Sequence, residues 1–369
     1  MPTVAHKIRL TPTPEQATYF RNACGTARFT YNWALAEWQR QYQAGETPSA
    51  FGLKKQFNAI KRQAFPWMAG VTKCAPEGAF AHLGKAFSNF FQKRAKYPRF
   101  HKKGIHDSFT LANDKIALRP GAIRIPKLGW VRLTESLRFS GDVKRVVVSR
   151  LADHWFVSLT VDMTDSPRPR CKSHATVGVD VGIETLATLS NGTRFENPKA
   201  MRKLQRRLAR LNRALGNKQQ GSQNREQAKM QLARLHYRIA CMRQDATHKL
   251  TNYLAQNFGK IVIEDLNVRG MMQNRKLAKH LADANFAEIF RQVTYKAALT
   301  GSDVEKADRF YPSSKTCSQC GQKHAGLKLS DRVFTCPACG HRQGRDENAA
   351  VNLMHRSVRR ASAEVTLVD

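Results

Sequence analysis

Cys317-x-x-Cys320 and Cys336-x-x-Cys339 constrain this chain more than any other feature, because fifteen residues between two short-spaced thiol pairs is the spacing of a metal-binding ribbon. Gly321 and Gly340 follow the second cysteine of each pair, where a tight turn suits a residue without a Cβ. Four thiolates complete a tetrahedral shell and leave no open position for catalysis, so the spacing predicts one structural zinc ion. His324 and His341 lie close by, but a full set of four cysteines needs neither. The other cysteines, Cys24, Cys74, Cys171 and Cys241, are scattered and do not suggest a disulfide framework.

Charge narrows the class of partner. Sixty-two Lys and Arg against twenty-eight Asp and Glu leave a formal +34 over 369 residues, with a pI near 10.4. Such self-repulsion destabilises a compact state unless a polyanion neutralises it, which argues against an ordinary metabolic enzyme and for nucleic acid as the partner. At 41% hydrophobic residues the chain can bury real cores, and its length suggests two or three domains. No apolar run approaches the roughly 18 residues of a membrane span. Met1 to Leu10 carries His6, Lys7 and Arg9 with no signal-peptide core behind it. The expectation is a cytoplasmic, nucleoid-associated protein of a prokaryote, monomeric and without a membrane partner.

Along the chain, residues 4–10 alternate like a short strand, and Thr13-Pro14-Glu15 reads as a helix start. Residues 15–95 are mostly helical in pattern, broken near Gly45–Pro48 and Pro66–Pro76, and rich in aromatic residues. From about 105 to 163 short strands take over: 115–118, 122–125, 130–133, 143–150 and 155–163. Their even spacing suggests a small β-barrel. Pro167 to Ser173 reads as a linker. Val177–Asp180 and Thr185–Ser190 then open a new sheet as a hairpin. Two helices follow, with Leu204, Leu208, Leu211 and Leu215 on one and Leu232, Leu235, Ile239 and Met242 on the other. Lys260–Leu266 is a strand of the buried type.

Three acids interrupt otherwise apolar or helix-starting segments. Asp180 lies in Val177-Gly178-Val179-Asp180-Val181, where a carboxylate must be partnered, protonated or metal-bound. Glu264 ends the next strongly apolar strand, and Asp265 should point to the opposite face. Asp346 stands where a helix begins; a helix cap would account for it alone. Ala349, Ala350 and Leu353 would let that helix pack closely on a sheet. A strand Asp, a strand-end Glu and a late helix-start Asp have the order of an RNase H-like nuclease core. Oxygen ligands suit magnesium, and two such ions about 4 Å apart can clamp both oxygens of a phosphodiester displacement.

These residues, taken together, resemble TnpB (OrfB), the transposon-encoded RNA-guided DNA endonucleases related to type V CRISPR effector nucleases. The likeness runs nearly end to end. It includes Leu10-x-Pro12-x-Pro14-Glu15-Gln16, Tyr31-Asn32-Trp33-Ala34, Pro126-Lys127-Leu128-Gly129, Gly178-Val179-Asp180-Val181-Gly182 and Ile263-Glu264-Asp265-Leu266-Asn267-Val268. Tyr311-Pro312-Ser313-Ser314-Lys315-Thr316-Cys317 and Arg345-Asp346-x-Asn348-Ala349-Ala350 complete it. The chain departs from the family pattern at Glu184, where a basic residue is common, and at Gly344, where an acid often precedes Arg345-Asp346.

The resemblance implies an α/β plus β-barrel, multidomain protein: a wedge β-barrel from 1–10 and 98–172, a helical recognition insert at 11–97, a RuvC-like nuclease of RNase H fold split over 173–310 and 341–369, and a zinc-ribbon insert at 311–340. It implies catalysis by Asp180, Glu264 and Asp346 on two magnesium ions. It further implies a guide RNA derived from the transposon end, a double-stranded DNA target cut beside a short motif, and a functional link to a transposase. The alternatives are a nuclease-inactive RNA-guided DNA-binding regulator and a strand-joining transposase; related regulators lack the three acids, which this chain keeps.

A guide-paired target of ~20 bp presents about 40 backbone phosphates, matching +34 in scale. Between 202 and 243 there are twelve Lys or Arg and one acid, Glu226, so Arg202, Arg206, Arg210 and Arg213 are expected to meet phosphates. Lys93, Arg94, Lys96, Arg99, Lys102 and Lys103, interleaved with Tyr97 and Phe100, form a second candidate surface for stacking and backbone contact.

Overall fold

The computed structural model describes residues 3–164, 171–328 and 330–365, with side chains described as far as Ser357. Residues 167–170 of the expected linker lie outside that description. The chain divides into two units, Met1–Ser166 and Pro167–Asp369.

The first unit begins with strand β1 (Thr3–Thr11) and helix α1 (Pro14–Gln43). Thr13 caps α1 through a capping box with Gln16, and Pro14 occupies the first turn, as the sequence predicts. Helices α2 (Ala50–Ala64) and α3 (Cys74–Phe91) follow; Pro76 falls inside the first turn of α3, where a missing N–H costs nothing, so the break ends earlier than expected. Six further strands are β2 (Ser108–Leu111), β3 (Ala117–Arg119), β4 (Ala122–Ile125), β5 (Gly129–Leu133), β6 (Gly141–Leu151) and β7 (His154–Met163). They pair with β1 in one antiparallel sheet of order β2-β6-β7-β1-β5-β4-β3. Its edge strands β2 and β3 are not paired with each other among the described residues, so the pairing establishes a sheet and not a closed barrel. Alternating residues such as Ile8, Leu10, Val157, Leu159 and Val161 form its core with Phe20 of α1. The expected strand at 115–118 is instead a 3₁₀ turn at Asn113–Lys115 followed by β3.

The second unit opens on β8 (Thr176–Val181), β9 (Thr185–Leu189) and β10 (Arg194–Glu196). Helices α4 (Ala200–Gly216) and α5 (Gln223–Asn257) lead to β11 (Lys260–Glu264). Helices α6 (Val268–Met271), α7 (Arg275–Ala284) and α8 (Phe286–Thr300), then β12 (Asp303–Ala307), complete a five-stranded sheet of order β10-β9-β8-β11-β12. β8, β9 and β10 meander antiparallel, whereas β8, β11 and β12 run parallel. A small antiparallel pair, β13 (Val333–Thr335) and β14 (Arg342–Gly344), precedes helix α9 (Arg345–Val365). Alternation divides the five-stranded sheet. Val177, Val179, Ile261 and Ile263 face a core shared with Leu250, Leu254, Ile289 and Val293 of α5 and α8. Val262 and Ala307 face Leu353 of α9 on the other side. Among the described residues no helix is long and apolar enough to cross a membrane.

Candidate active site and nucleic-acid interface

The parallel register decides where the acids stand. Ile263 is paired with Val179, so Glu264 comes abreast of Asp180 at the carboxyl ends of adjacent strands, both on the face that α9 covers. Asp346 enters from the first turn of α9. Burial, then the neighbouring carboxylates of Glu264 and Asp346, push the Asp180 carboxyl well above the usual carboxylate range, with the Arg345 guanidinium opposing them. Three residues separated by more than 160 positions of chain thus share one electrostatic site. Asp265 lies just past the end of β11 and is taken up by Arg309 at 2.6 Å and Lys306 at 4.0 Å. Glu184, the departure beside β9, pairs with Lys199.

Four positions to which sequence reasoning assigned no part shape this site. At Gly178 an added Cβ would stand 1.9 Å from the backbone oxygen of Ala350, so α9 lies directly on β8. The Ser313 hydroxyl donates to Glu264 Oε1 at 2.6 Å. Asn348 and Asn352, one turn apart on α9 and both buried, grip the segment that leads into the cysteine cluster. The Asn348 amide donates to Thr316 O at 2.7 Å and accepts from Ser318 N at 2.9 Å; the Asn352 amide donates to Ser313 O at 2.8 Å and Thr316 O at 2.6 Å. In the sequence they show only as two asparagines four residues apart on the face of an otherwise apolar helix segment, with nothing to name their partners.

Cys317, Cys320, Cys336 and Cys339 form the one group of three or more His, Cys, Asp or Glu, among the described residues, whose ligand atoms all lie within 4.8 Å of one another. Sulfur pairs at 3.7 Å (Cys317–Cys339) and 3.6 Å (Cys320–Cys336) are too long for disulfides. They match the ~3.8 Å edge of a tetrahedron with metal–sulfur bonds of about 2.3 Å. Backbone N–H groups of Cys339 and Ala338 draw the Cys336 thiol down to about 6, whereas, against the His341 N–H, burial and the neighbouring thiols push Cys339 up to about 12, so the four sulfurs can all be thiolates only with a cation among them. Asp180, Glu264 and Asp346 are not such a group: among the described residues their oxygens do not all lie within 4.8 Å of one another.

The candidate nucleic-acid residues are all exposed. Arg202, Arg206, Arg210 and Arg213 fall within an arc of roughly 80° on α4, opposite the leucines. Leu204, Leu208 and Leu211 pack on Leu235, Ile239 and Met242 of α5. Buried Asp283 anchors the start of α4, accepting from Met201 N at 3.0 Å, Arg202 N at 3.3 Å and Arg243 Nε at 2.9 Å. Lys93, Arg94, Lys96, Arg99, Lys102 and Lys103 lie beyond the end of α3 in irregular chain, not on a helix, with Tyr97 packed edge-on against Phe87 and Phe90.

Comparison with known proteins places three family models on the chain: "Probable transposase" (OrfB of IS605 type) at residues 158–275, "Cas12f1-like, TNB domain" at 286–353, and "Helix-turn-helix domain" at 1–47. Among the described residues of that stretch there are β1 (Thr3–Thr11) and one helix, α1 (Pro14–Gln43). A "Putative RNA-guided DNA endonuclease" of Streptomyces pristinaespiralis is 35% identical over 365 residues, spanning 95% of this chain and 88% of that one. The "Putative RNA-guided DNA endonuclease InsQ" of Escherichia coli K12 is 33% identical, over 95% and 91%. Among solved structures, Cas12f1 in a complex with guide RNA and target DNA superposes with a TM-score of 0.56 at 16% identity, over 93% of this chain and 83% of that one. That likeness is one of fold.

Proposed function

Because this chain belongs to the TnpB (OrfB) family, we propose that it is an RNA-guided DNA endonuclease of an insertion sequence. It binds a transposon-end-derived guide RNA and cuts double-stranded DNA beside a short motif, by metal-dependent phosphodiester hydrolysis. The relatives named as RNA-guided endonucleases match nearly its whole length. The observation that carries the chemistry is the placement of Asp180 abreast of Glu264, with Asp180 feeling the carboxylates of both Glu264 and Asp346. The 3-2-1-4-5 strand order of the second unit, with three antiparallel strands and then two parallel, supports an RNase H-fold, RuvC-like nuclease at 173–310 and 341–369. We assign 311–340 to the zinc ribbon, 11–97 to helical recognition, and 1–10 with 98–172 to a wedge built on the seven-stranded sheet.

Three convergent carboxylates with oxygen-only donors fit magnesium, and four thiolates at tetrahedral spacing fit zinc. A magnesium pair, when bound, supplies the charge that activates water and stabilises the leaving oxygen. Asp180, Glu264 and Asp346 bring −3 against +4, leaving the site slightly positive toward a scissile phosphate. Ser313 holds one Glu264 oxygen, so that the second is aimed by a fixed carboxyl plane. The arginines of α4 and the basic segment after α3 hold nucleic-acid backbone.

Purified protein is expected to retain RNA mapping to the transposon end, and with that RNA and Mg²⁺ to linearise a target plasmid. EDTA should stop the cutting without releasing RNA. Cutting that persists in EDTA would sink the hydrolytic assignment, and strand-joined products would replace it with transposition. The ribbon gives a second expectation. One zinc per chain should be found by elemental analysis, and Cys336→Ser should lose it. Thr316 and Ser313 would then be freed from the amides of α9, each lost buried hydrogen bond costing ~1–3 kcal/mol. Cleavage should fall by about tenfold or more at saturating Mg²⁺ while RNA is retained. A zinc-free protein with wild-type cleavage would show that the ribbon does not support Glu264.

A further inference from the structure

Within the first unit, one face of α1 borders a groove of ≈820 Å³ that the nuclease chemistry does not use. Arg21, Gly25, Arg28 and Phe29 line it at helical spacing along α1, and Trp67 and Lys103 line it from other segments. Its volume is in the range of sites that enclose a small ligand. Trp67 is 52% exposed, and Phe29 braces it edge-on with ring centroids 5.3 Å apart. Arg28 is held in place by Asp107 at 3.1 Å, whereas Arg21 and Lys103 are exposed.

Gly25 is the informative residue. It lies inside α1, where glycine is less favourable than alanine. No neighbour in the protein demands it, since an added Cβ would meet Arg28 Nη2 alone, at an ordinary 3.8 Å. At Gly178 and Gly141 the surrounding backbone excludes a Cβ; at Gly25 the space above the helix is the groove itself. Glycine at such a position fits the close approach of a ligand to the helix backbone. The exposed cations Arg21 and Lys103 call for an anion, and a half-exposed indole for a flat ring.

We propose that this groove holds an unpaired nucleotide of a single-stranded nucleic-acid segment, its base stacked on Trp67, its phosphate near Arg21 and Lys103, and its body pressed against Gly25. The proposal rests on the nucleic-acid reading above. The same chemistry is offered by the guide RNA and by a separated DNA strand, and two measurements distinguish them: the amount of RNA retained through purification, and the affinity of the purified complex for fluorescent oligo(dT).

Gly25→Ala should raise the melting temperature by about 2–4 °C, from helix propensity, yet weaken one of the two binding measures by about tenfold. Trp67→Ala should weaken the same measure similarly, and Trp67→Phe should restore most of it. Loss confined to retained RNA assigns the groove to the guide; loss confined to oligo(dT) assigns it to DNA. A Gly25→Ala protein that melts higher and binds both as the wild type does would overturn the proposal. So would one that melts lower, since internal packing would then explain the glycine. If the wild type itself binds neither, the nucleic-acid reading falls along with the groove.

Discussion

Asp180→Asn is expected to abolish plasmid cleavage, by about 10³-fold or more, while the protein keeps its RNA and its fold. Asparagine preserves the shape of the side chain and one acceptor oxygen but removes the charge that pairs with a cation. In the metal-free protein that charge is a liability, because Asp180 is half-buried beside two further carboxylates that raise the cost of ionising it. Removing it should leave the metal-free melting temperature unchanged or higher. Mg²⁺ should then stabilise the wild type and do nothing for the variant, since a ligand stabilises only the state that binds it. The two signs together separate loss of a metal ligand from loss of structure. A variant that cuts at the wild-type rate, or that still gains stability from Mg²⁺, would remove Asp180 from the site.

What could be read from the chain follows how each signal is encoded. The helix start at Thr13-Pro14, the apolar strands at 177–181 and 260–264, and the paired cysteines are local patterns, so their chemistry is written within a few residues. β12 was not legible, because Asp303-Val304-Glu305-Lys306-Ala307 is an edge strand that buries Ala307 alone and has no hydrophobic run to announce it. Helices α7 and α8 escaped for a different reason: their apolar residues serve a core shared with β8, β9, β11 and α5, most of it distant in sequence. The polar links from α9 to Thr316 and Ser313, and from Ser313 to Glu264, join positions up to 49 residues apart. A single sequence carries no record of such pairings, although each partner is an unremarkable Ser, Thr or Asn by itself. Closure of a barrel was likewise beyond reach, since strand spacing predicts the number of strands but not whether β2 meets β3.

Gly178→Ala should be nearly as damaging as loss of the catalytic charge, although it adds one methyl group and touches no acid. The new Cβ would lie 1.9 Å from Ala350 O and 2.7 Å from Met354 N, both backbone atoms of α9, so no side-chain rotation relieves the overlap. The helix must retreat by about 1 Å. Overpacking of this kind costs ~1–3 kcal/mol, and the helix that retreats carries Asp346 at its first turn and Asn348 and Asn352 along its buried face. A displacement of about 1 Å in a catalytic group can lower the rate by ~10²-fold, so cleavage should fall by at least that much even where the protein remains folded. Melting temperature should drop, in contrast to Asp180→Asn, and the gain in stability from Mg²⁺ should shrink. Gly216→Ala is the control, because a Cβ at that end of α4 meets nothing within 4 Å; it should leave cleavage as it was and melting unchanged or slightly higher. Retained RNA should not change in either variant, since the arginines of α4 and the basic segment after α3 are untouched. Wild-type cutting by Gly178→Ala would mean that α9 can yield without moving Asp346, and the close seat of that helix on β8 would then have no part in aligning the three acids.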